Sequence, residues 1–116
     1  MKTKLEVPHP IPDVLAEMIA RRFRVLGDAN RLRLLDCLRD GPMTVGELTE
    51  ATGLSQQNVS KHLGILHEAS LLSREREGTQ VRCSIADPAV FELCEHVCGG
   101  LRRQIDDLDS ALSAGA

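Results

Sequence analysis

Two cysteines near the end of the chain have the spacing of a two-thiol ligand. Cys94 and Cys98 are four residues apart in a segment with helical periodicity, so both sulfurs fall on one face of a helix. Two thiolates on one face suit a soft metal or metalloid ion such as arsenite, Cd²⁺ or Zn²⁺, completed by a further ligand such as Cys37 or a residue of a partner chain. The same thiols can instead react with oxidants or persulfides, or pack as small buried residues.

A second set of residues has the chemistry of DNA recognition. Val59, Leu63 and Leu66 recur at helical spacing and leave an outer face that is polar but almost uncharged. Glutamine can pair with adenine, serine reaches bases or phosphates, and lysine contacts guanine or phosphate. An ordinary solvent-facing helix would show the same pattern. The predicted DNA contacts are Ser55, Gln56, Gln57, Ser60, Lys61 and His62, followed by Arg74 and Arg76.

His62 and the two arginines have more limited roles in this prediction. His62 follows Lys61 and is expected either to contact phosphate or to pack. Arg74 and Arg76 belong to a segment whose apolar residues alternate, which is typical of a β-hairpin, and they are expected to contact the flanking DNA backbone. Glu75 and Glu77 reduce the positive charge of this hairpin, so we do not expect it to read bases.

The elements that hold these residues follow from the spacing of apolar and capping residues. Helices are predicted to begin after the cap residues Asp13, Asp28, Thr44 (with Glu47 in a capping box) and Ser55, and a last helix covers 88–112. Cys83 alternates inward with Val81 and Ile85 in the hairpin and is predicted to lie in the core, with the turn at Glu77-Gly78. Three prolines make residues 1–12 an extended arm.

Length and composition narrow the class of protein. A chain of 116 residues suits one domain, and it lacks both an apolar run long enough to cross a bilayer and a signal peptide, so we expect a cytoplasmic protein. The net charge is −3, yet residues 20–82 carry ten Lys or Arg against eight Asp or Glu. With no Trp or Tyr there is no platform for stacking single-stranded bases. No catalytic motif occurs, so an enzyme is not expected.

Three segments resemble the ArsR/SmtB family of winged helix-turn-helix repressors, and the likeness extends over residues 14–105. The segments are LGDANRLRLL (26–35), TVGELTEATGLSQQNVSKHLGIL (44–66) and LLSREREGTQVRCSI (71–85). The resemblance implies a mostly α fold of about five helices with a two-stranded wing. A single domain is then expected over residues 13–112, with a reading motif at 44–68, a wing at 71–85 and a dimerisation helix at 88–112.

The resemblance also implies a homodimer, joined through the first and last helices, that binds an inverted repeat in double-stranded DNA. An effector would then release the repressor from this promoter site. Two further functions stay open: a repressor without a small effector, and a winged helix that binds protein rather than DNA.

The effector sites of the family transfer only in part to this chain. Arsenic- and cadmium-type members have a Cys-x-Cys pair where this chain has Val45-Gly46-Glu47, and zinc- and nickel-type members have histidines where it has Ala89 and Gly100. Dithiol members pair a cysteine of the second helix with one of the last, and Cys37 and Cys98 match that arrangement only with a shift in register. A soft ion at thiols, a thiol-redox response and no effector all stay open.

Overall fold

Five helices and three short strands make up the fold in a computed structural model, of which residues 7–115 are described. The elements are α1 Asp13–Leu26, α2 Ala29–Cys37, a 3₁₀ turn Leu38–Asp40, β1 Met43–Thr44, α3 Val45–Thr52, α4 Gln56–Glu68, β2 Leu72–Glu77, β3 Gln80–Ile85 and α5 Ala89–Ala114. The chain divides into two compact units, one up to Ile85 and one from Ala86. The predicted mostly helical fold with a hairpin is confirmed.

Three of the four predicted helix caps are confirmed. The Asp28 carboxylate accepts from the amides of Asn30 at 2.9 Å and Arg31 at 3.1 Å. Thr44 and Glu47 form a reciprocal capping box, with Glu47 Oε1 accepting from the Thr44 amide at 2.8 Å. The Ser55 hydroxyl accepts from an amide at 3.1 Å. These bonds satisfy amides that a helix start leaves without partners.

The fourth cap is wrong, and the first helix begins one residue earlier than predicted. Pro12 is the N-cap residue of α1 and makes no side-chain cap, while Asp13 is already helical. A carboxylate in the first turn still stabilises the helix through its dipole. Of the predicted arm, residues 7–12 are exposed and belong to neither helix nor strand, and residues 1–6 lie outside the described residues.

The core of the first unit is built almost entirely from leucine. Its most buried side chains are Leu34, Leu35, Leu48, Val59, Leu63, Leu66, Leu71, Leu72 and Cys83. The predicted core position of Cys83 is confirmed, since its side chain is fully buried in β3. Because α2, α3 and α4 all contribute to this core, the orientation of α4 is fixed by packing rather than by its own sequence.

The strands form one antiparallel sheet in the order β1-β3-β2, one strand more than the predicted hairpin. In this sheet Met43 pairs with Cys83 and Thr44 with Arg82. The hairpin turn consists of Gly78 and Thr79, one residue later than predicted, because Glu77 still pairs with Gln80. Gly78 has a φ of 63°, a conformation that favours glycine over other residues.

The second unit is dominated by α5, a helix of 26 residues that is about 39 Å long at ~1.5 Å per residue. It begins at Ala89, whose amide is bound by the Asp87 carboxylate at 3.1 Å, and it continues two residues beyond the predicted end at 112. It exposes an apolar row of Val97, Leu101, Ile105, Leu108 and Leu112. Among the described residues no helix is long and apolar enough to cross a membrane.

Candidate DNA-binding interface

The helices α3 and α4 form a helix-turn-helix whose turn depends on one glycine. Gly53 ends α3 with a φ of 73°, a left-handed conformation that costs other residues energy, and its amide donates to the Thr49 carbonyl at 3.0 Å. Two residues later Ser55 caps α4. The second helix therefore starts at a defined angle to the first, as in DNA-reading helix-turn-helix motifs.

One side of α4 is buried and the other is open to solvent. Val59, Leu63 and Leu66 are at most 1% exposed and hold the helix against the core. The exposed residues that the sequence predicted as DNA contacts lie at the N-terminal end of the helix, and we call them the reading face: Ser55, Gln56, Gln57, Ser60 and Lys61. Their side chains are polar and carry one formal charge, on Lys61.

His62 does not belong to the reading face, which corrects the prediction that grouped it with the DNA contacts. Its side chain is only 8% exposed, and its Nδ1 lies 3.2 Å from Nη1 of Arg31 on α2. At 100° per residue, His62 falls on the same side of α4 as Val59 and Leu66. Of the two roles expected for this histidine, the geometry supports packing.

Strand β2 places its two arginines on one face of the hairpin and its two glutamates on the other. Arg74 is opposite Cys83 and Arg76 opposite Val81, so both arginines extend from the same face of the ribbon as these two residues of β3. The alternate residues of β2 extend from the other face, where Arg82 bonds Glu77 at 3.1 Å. The glutamates of β2 thus reduce the positive charge of the face with Arg74 and Arg76 less than the composition of the wing suggests.

Arg74 and Arg76 are exposed, and Arg74 lies close to the C-terminal end of the reading helix. Its Nη2 is 3.3 Å from Nδ1 of His67 on α4. The contact brings one face of the wing and the end of α4 together, so a single surface can present both. Sequence reasoning placed the arginines on the hairpin but gave no sign of this contact.

A groove of about 310 Å³ separates the reading face from the tip of the wing. Gln56 and Ser60 line one side, Gly46 of α3 lines the end, and Thr79 and Gln80 of the hairpin line the other side. The sequence prediction missed these two wing residues, because nothing in the local pattern shows that the turn faces α4. The reading face and the wing therefore border one groove, whose lining also includes Val45 and Val81.

The thiols differ in their accessibility. Cys98 is exposed and Cys94 half-buried in α5, whereas Cys37 is half-buried at the end of α2. Burial raises the pKa of the Cys37 thiol, with a further contribution from the Asp36 carboxylate, and burial likewise raises the pKa of Cys83. No group of three or more His, Cys, Asp or Glu side chains suited to a metal ion occurs within residues 7–115.

A capped helix-turn-helix, a three-stranded sheet with a hairpin wing and an exposed polar reading face define a winged helix-turn-helix protein of the DNA-binding class. A family model described as a helix-turn-helix domain matches residues 26–75. A "probable mercury resistance operon repressor" of Streptomyces lividans is 41% identical over 88 residues, which cover 76% of this chain and 67% of the relative.

Two further similarities extend over more of the fold. The transcriptional regulator KmtR of Mycobacterium tuberculosis is 34% identical over 103 residues, 83% of this chain and 79% of the relative. A solved homodimeric winged helix-turn-helix DNA-binding domain of Mycobacterium bovis, described as a possible ArsR-family regulator, has a TM-score of 0.69 at 29% identity and covers 81% of this chain and 87% of that one. The chain belongs to the ArsR/SmtB family of winged helix-turn-helix transcriptional repressors.

Proposed function

We propose that this protein is a homodimeric repressor that binds an inverted-repeat promoter site and leaves it when a soft ion binds Cys94 and Cys98. The proposal assigns it a regulatory role and no catalytic one. The observation that carries it is the reading face, where Gln56, Gln57 and Lys61 are exposed while the opposite side of α4 is buried. A major groove ~12 Å wide admits one such helix, and these side chains match base edges and phosphates.

The wing adds contacts that do not depend on base sequence. Arg74 and Arg76 share one face of the ribbon, and Arg74 lies beside the end of α4. Contact of these guanidinium groups with phosphates on the DNA flanking the major groove would release counterions and make binding strongly dependent on salt. The proposed interface therefore combines sequence reading by α4 with anchoring by the wing.

Exposed apolar side chains on two helices support a dimer. In α1, Val14 and Met18 lie one turn apart on one face and are each more than half exposed, and in α5 a row of five apolar residues is open to solvent. Burial of such surfaces between two copies stabilises association. The homodimeric state of the similar domain from Mycobacterium bovis supports the same assignment. A two-fold dimer would place two reading helices on an inverted repeat.

Fluorescence anisotropy with the promoter DNA of the protein's own gene tests the reading face. Gln57→Ala and Lys61→Ala should each abolish sequence-specific binding while sedimentation still shows a dimer. Arg33→Ala is the matched control, because it removes an exposed cation of α2 that bonds Asn30 at 2.8 Å. Full affinity in both reading-face variants would show that α4 does not read the DNA.

The dimer is tested separately on α5. Ile105→Glu places a charge in the exposed apolar row and should produce a monomer that no longer binds the promoter, as measured by sedimentation equilibrium and anisotropy. Ser110→Glu introduces the same side chain on the opposite side of the helix and should leave the dimer intact. A dimer that survives Ile105→Glu would contradict the assignment of this row to the seam.

The proposed effector follows from the thiol pair. Side chains four residues apart on a helix have Cβ atoms about 5–6 Å from each other, a span that one ion held by two sulfurs can bridge. A disulfide needs Cβ atoms about 3.5–4.5 Å apart, so Cys94 and Cys98 of one helix cannot pair without distorting it. The relative from Streptomyces lividans is named for mercury resistance, and Hg²⁺ is a soft ion of this kind.

Titration of the protein–DNA complex with mercuric chloride tests the effector. Release should occur with the wild type and with Cys83→Ala, which removes a thiol buried in β3, but not with the double variant Cys94→Ser, Cys98→Ser. Release that persists in the double variant would show that this pair is structural. Release by peroxide alone, with a disulfide between the two subunits, would instead favour a redox response.

A further inference from the structure

One guanidinium group joins three helices of the first unit. Arg31, in the first turn of α2, donates from Nε to the Val25 carbonyl at 2.6 Å and from Nη2 to the Arg24 carbonyl at 3.4 Å. Its Nη1 lies 3.2 Å from Nδ1 of His62 on α4. The C-terminal end of α1 is thereby bonded, through one side chain of α2, to the helix that carries the reading face.

The chemistry of the two side chains fixes the protonation of the histidine in this bond. An arginine has donors only, so His62 Nδ1 must accept, and it can do so only if it carries no proton. The imidazole is then neutral with its proton on Nε2. Its neighbour Lys61 belongs to the reading face, whereas His62 itself is only 8% exposed.

We propose that Arg31 is a positioning residue for the reading helix, and that its bond to a neutral His62 makes DNA binding sensitive to protons. Protonation of Nδ1 would remove the acceptor and leave two cations in contact inside a partly buried site. The bond would break, and α4 would lose its connection to the end of α1. Arg31 would act on DNA only through His62, without touching the DNA itself.

The nearby carboxylate of Asp28 does not cancel this effect. Asp28 attracts a cation at this site, but its carboxylate already accepts from two backbone amides at the start of α2, at 2.9 and 3.1 Å. These amides and the positive end of α2 already stabilise the negative charge of this carboxylate. Protonated His62 would therefore still face the Arg31 guanidinium without a hydrogen bond to replace the lost one.

The predicted change of DNA affinity on acidification has the opposite sign to the change expected from added positive charge alone. Added positive charge near DNA normally strengthens binding, so a proton gained at an exposed site beside the DNA would raise affinity. Breakage of the Arg31–His62 bond predicts weaker binding instead. The inference rests on the proposed DNA-binding function, and its test must separate the two.

Anisotropy with the promoter DNA between about pH 8 and about pH 5.5 provides the first test. Wild-type affinity should fall about tenfold on acidification, the loss expected for a hydrogen bond to a charged group. His62→Asn offers Oδ1 near the position of Nδ1 and cannot be protonated, so its affinity should stay constant. His9→Asn is the control, because His9 is exposed, precedes α1 and lies outside this contact, and it should retain the fall. Arg31→Gln should bind weakly over the whole range.

Nitrogen NMR of the free protein provides the second test, which needs neither DNA nor a variant. The His62 ring should show a protonated Nε2 and an unprotonated Nδ1 at neutral pH. A proton on Nδ1, or wild-type affinity that is constant or rises on acidification, would overturn the inference. Failure of the wild type to bind the promoter at any pH would instead refute the proposed function, while the NMR result would still decide the tautomer.

Discussion

The separation of charge across the wing predicts that two arginines of the same hairpin affect DNA binding differently. Arg76 is exposed on the face that also carries Arg74, whereas Arg82 extends from the other face and bonds Glu77 at 3.1 Å. We expect Arg76→Ala to remove one phosphate contact from each subunit. Arg82→Ala removes the same charge from the same hairpin but should remove no phosphate contact, so it is the matched control.

The magnitude follows from counterion release. Each cation–phosphate contact contributes about 0.9 to the slope of log affinity against log salt, so the loss of two contacts in a dimer lowers the slope by about 1.8. Over a fourfold range of salt, about 50 to 200 mM, the affinity of Arg76→Ala should therefore fall about twelvefold less than that of the wild type. Arg82→Ala should keep the wild-type slope.

Anisotropy titrations at four salt concentrations measure these slopes, and thermal unfolding shows whether each variant is folded. Equal changes of slope in Arg76→Ala and Arg82→Ala would mean that DNA responds to the net charge of the wing and not to one face. A wild-type slope in Arg76→Ala would show that this residue makes no phosphate contact. Either result would refute the assignment of the arginine face to the DNA.

Three further predictions concern single sites. Gly64 lies inside α4 with no atom within 4 Å of an added Cβ, so Gly64→Ala should raise the free energy of unfolding by about 1 kcal/mol, yet weaken promoter binding because it lies beside the reading face. The hydrogen bonds from Thr44 lower the pKa of Glu47 below its ordinary value of 4.5, so this stabilisation is present above that pH and is lost as the pH falls through the lowered pKa. Glu47→Gln should therefore reduce the loss of Tm on acidification. In pulsed alkylation read by mass spectrometry, exposed Cys98 should react first and buried Cys83 only on unfolding.

Each of these predictions has a clear contrary result. A lower Tm in Gly64→Ala would mean that the site has no room for a methyl group, and unchanged DNA affinity would place position 64 away from the DNA. An unaltered acid dependence of Tm in Glu47→Gln would show that the capping box does not contribute to it. Early labelling of Cys83 would show that the sheet opens without global unfolding.

Local chemistry made much of the fold predictable from the sequence. Asp28, Thr44 and Ser55 act as caps through bonds to residues two or three positions away, so their pattern is readable in a short window. Alternation in one strand likewise placed Cys83 in the core. Strand β1 was missed because two residues have no detectable period. The residues of β3 that pair with them are also far away in the sequence.

The candidate site was predictable only where it depends on one helix. The reading face follows from the apolar stripe of α4, and the same stripe could have excluded His62, which lies three residues after Val59 and four before Leu66. Arg31 gave no signal, since its role depends on how α1, α2 and α4 are arranged. The groove between α4 and the wing tip was hidden for the same reason.

Thr44 is both the last residue of β1 and the N-cap of α3, and this double position constrains the DNA sequences that the protein can use. Its strand pairing with Arg82 ties the wing to the start of the helix-turn-helix, while its hydroxyl and amide complete the capping box. The wing is therefore joined to the helix-turn-helix at two places, through Thr44 and through the three residues 69–71 that connect α4 to β2. In the proposed interface, a promoter with one base pair inserted between the bases read by α4 and the backbone bound by the wing should lose one set of contacts, because these connections limit how far the wing can move from α4.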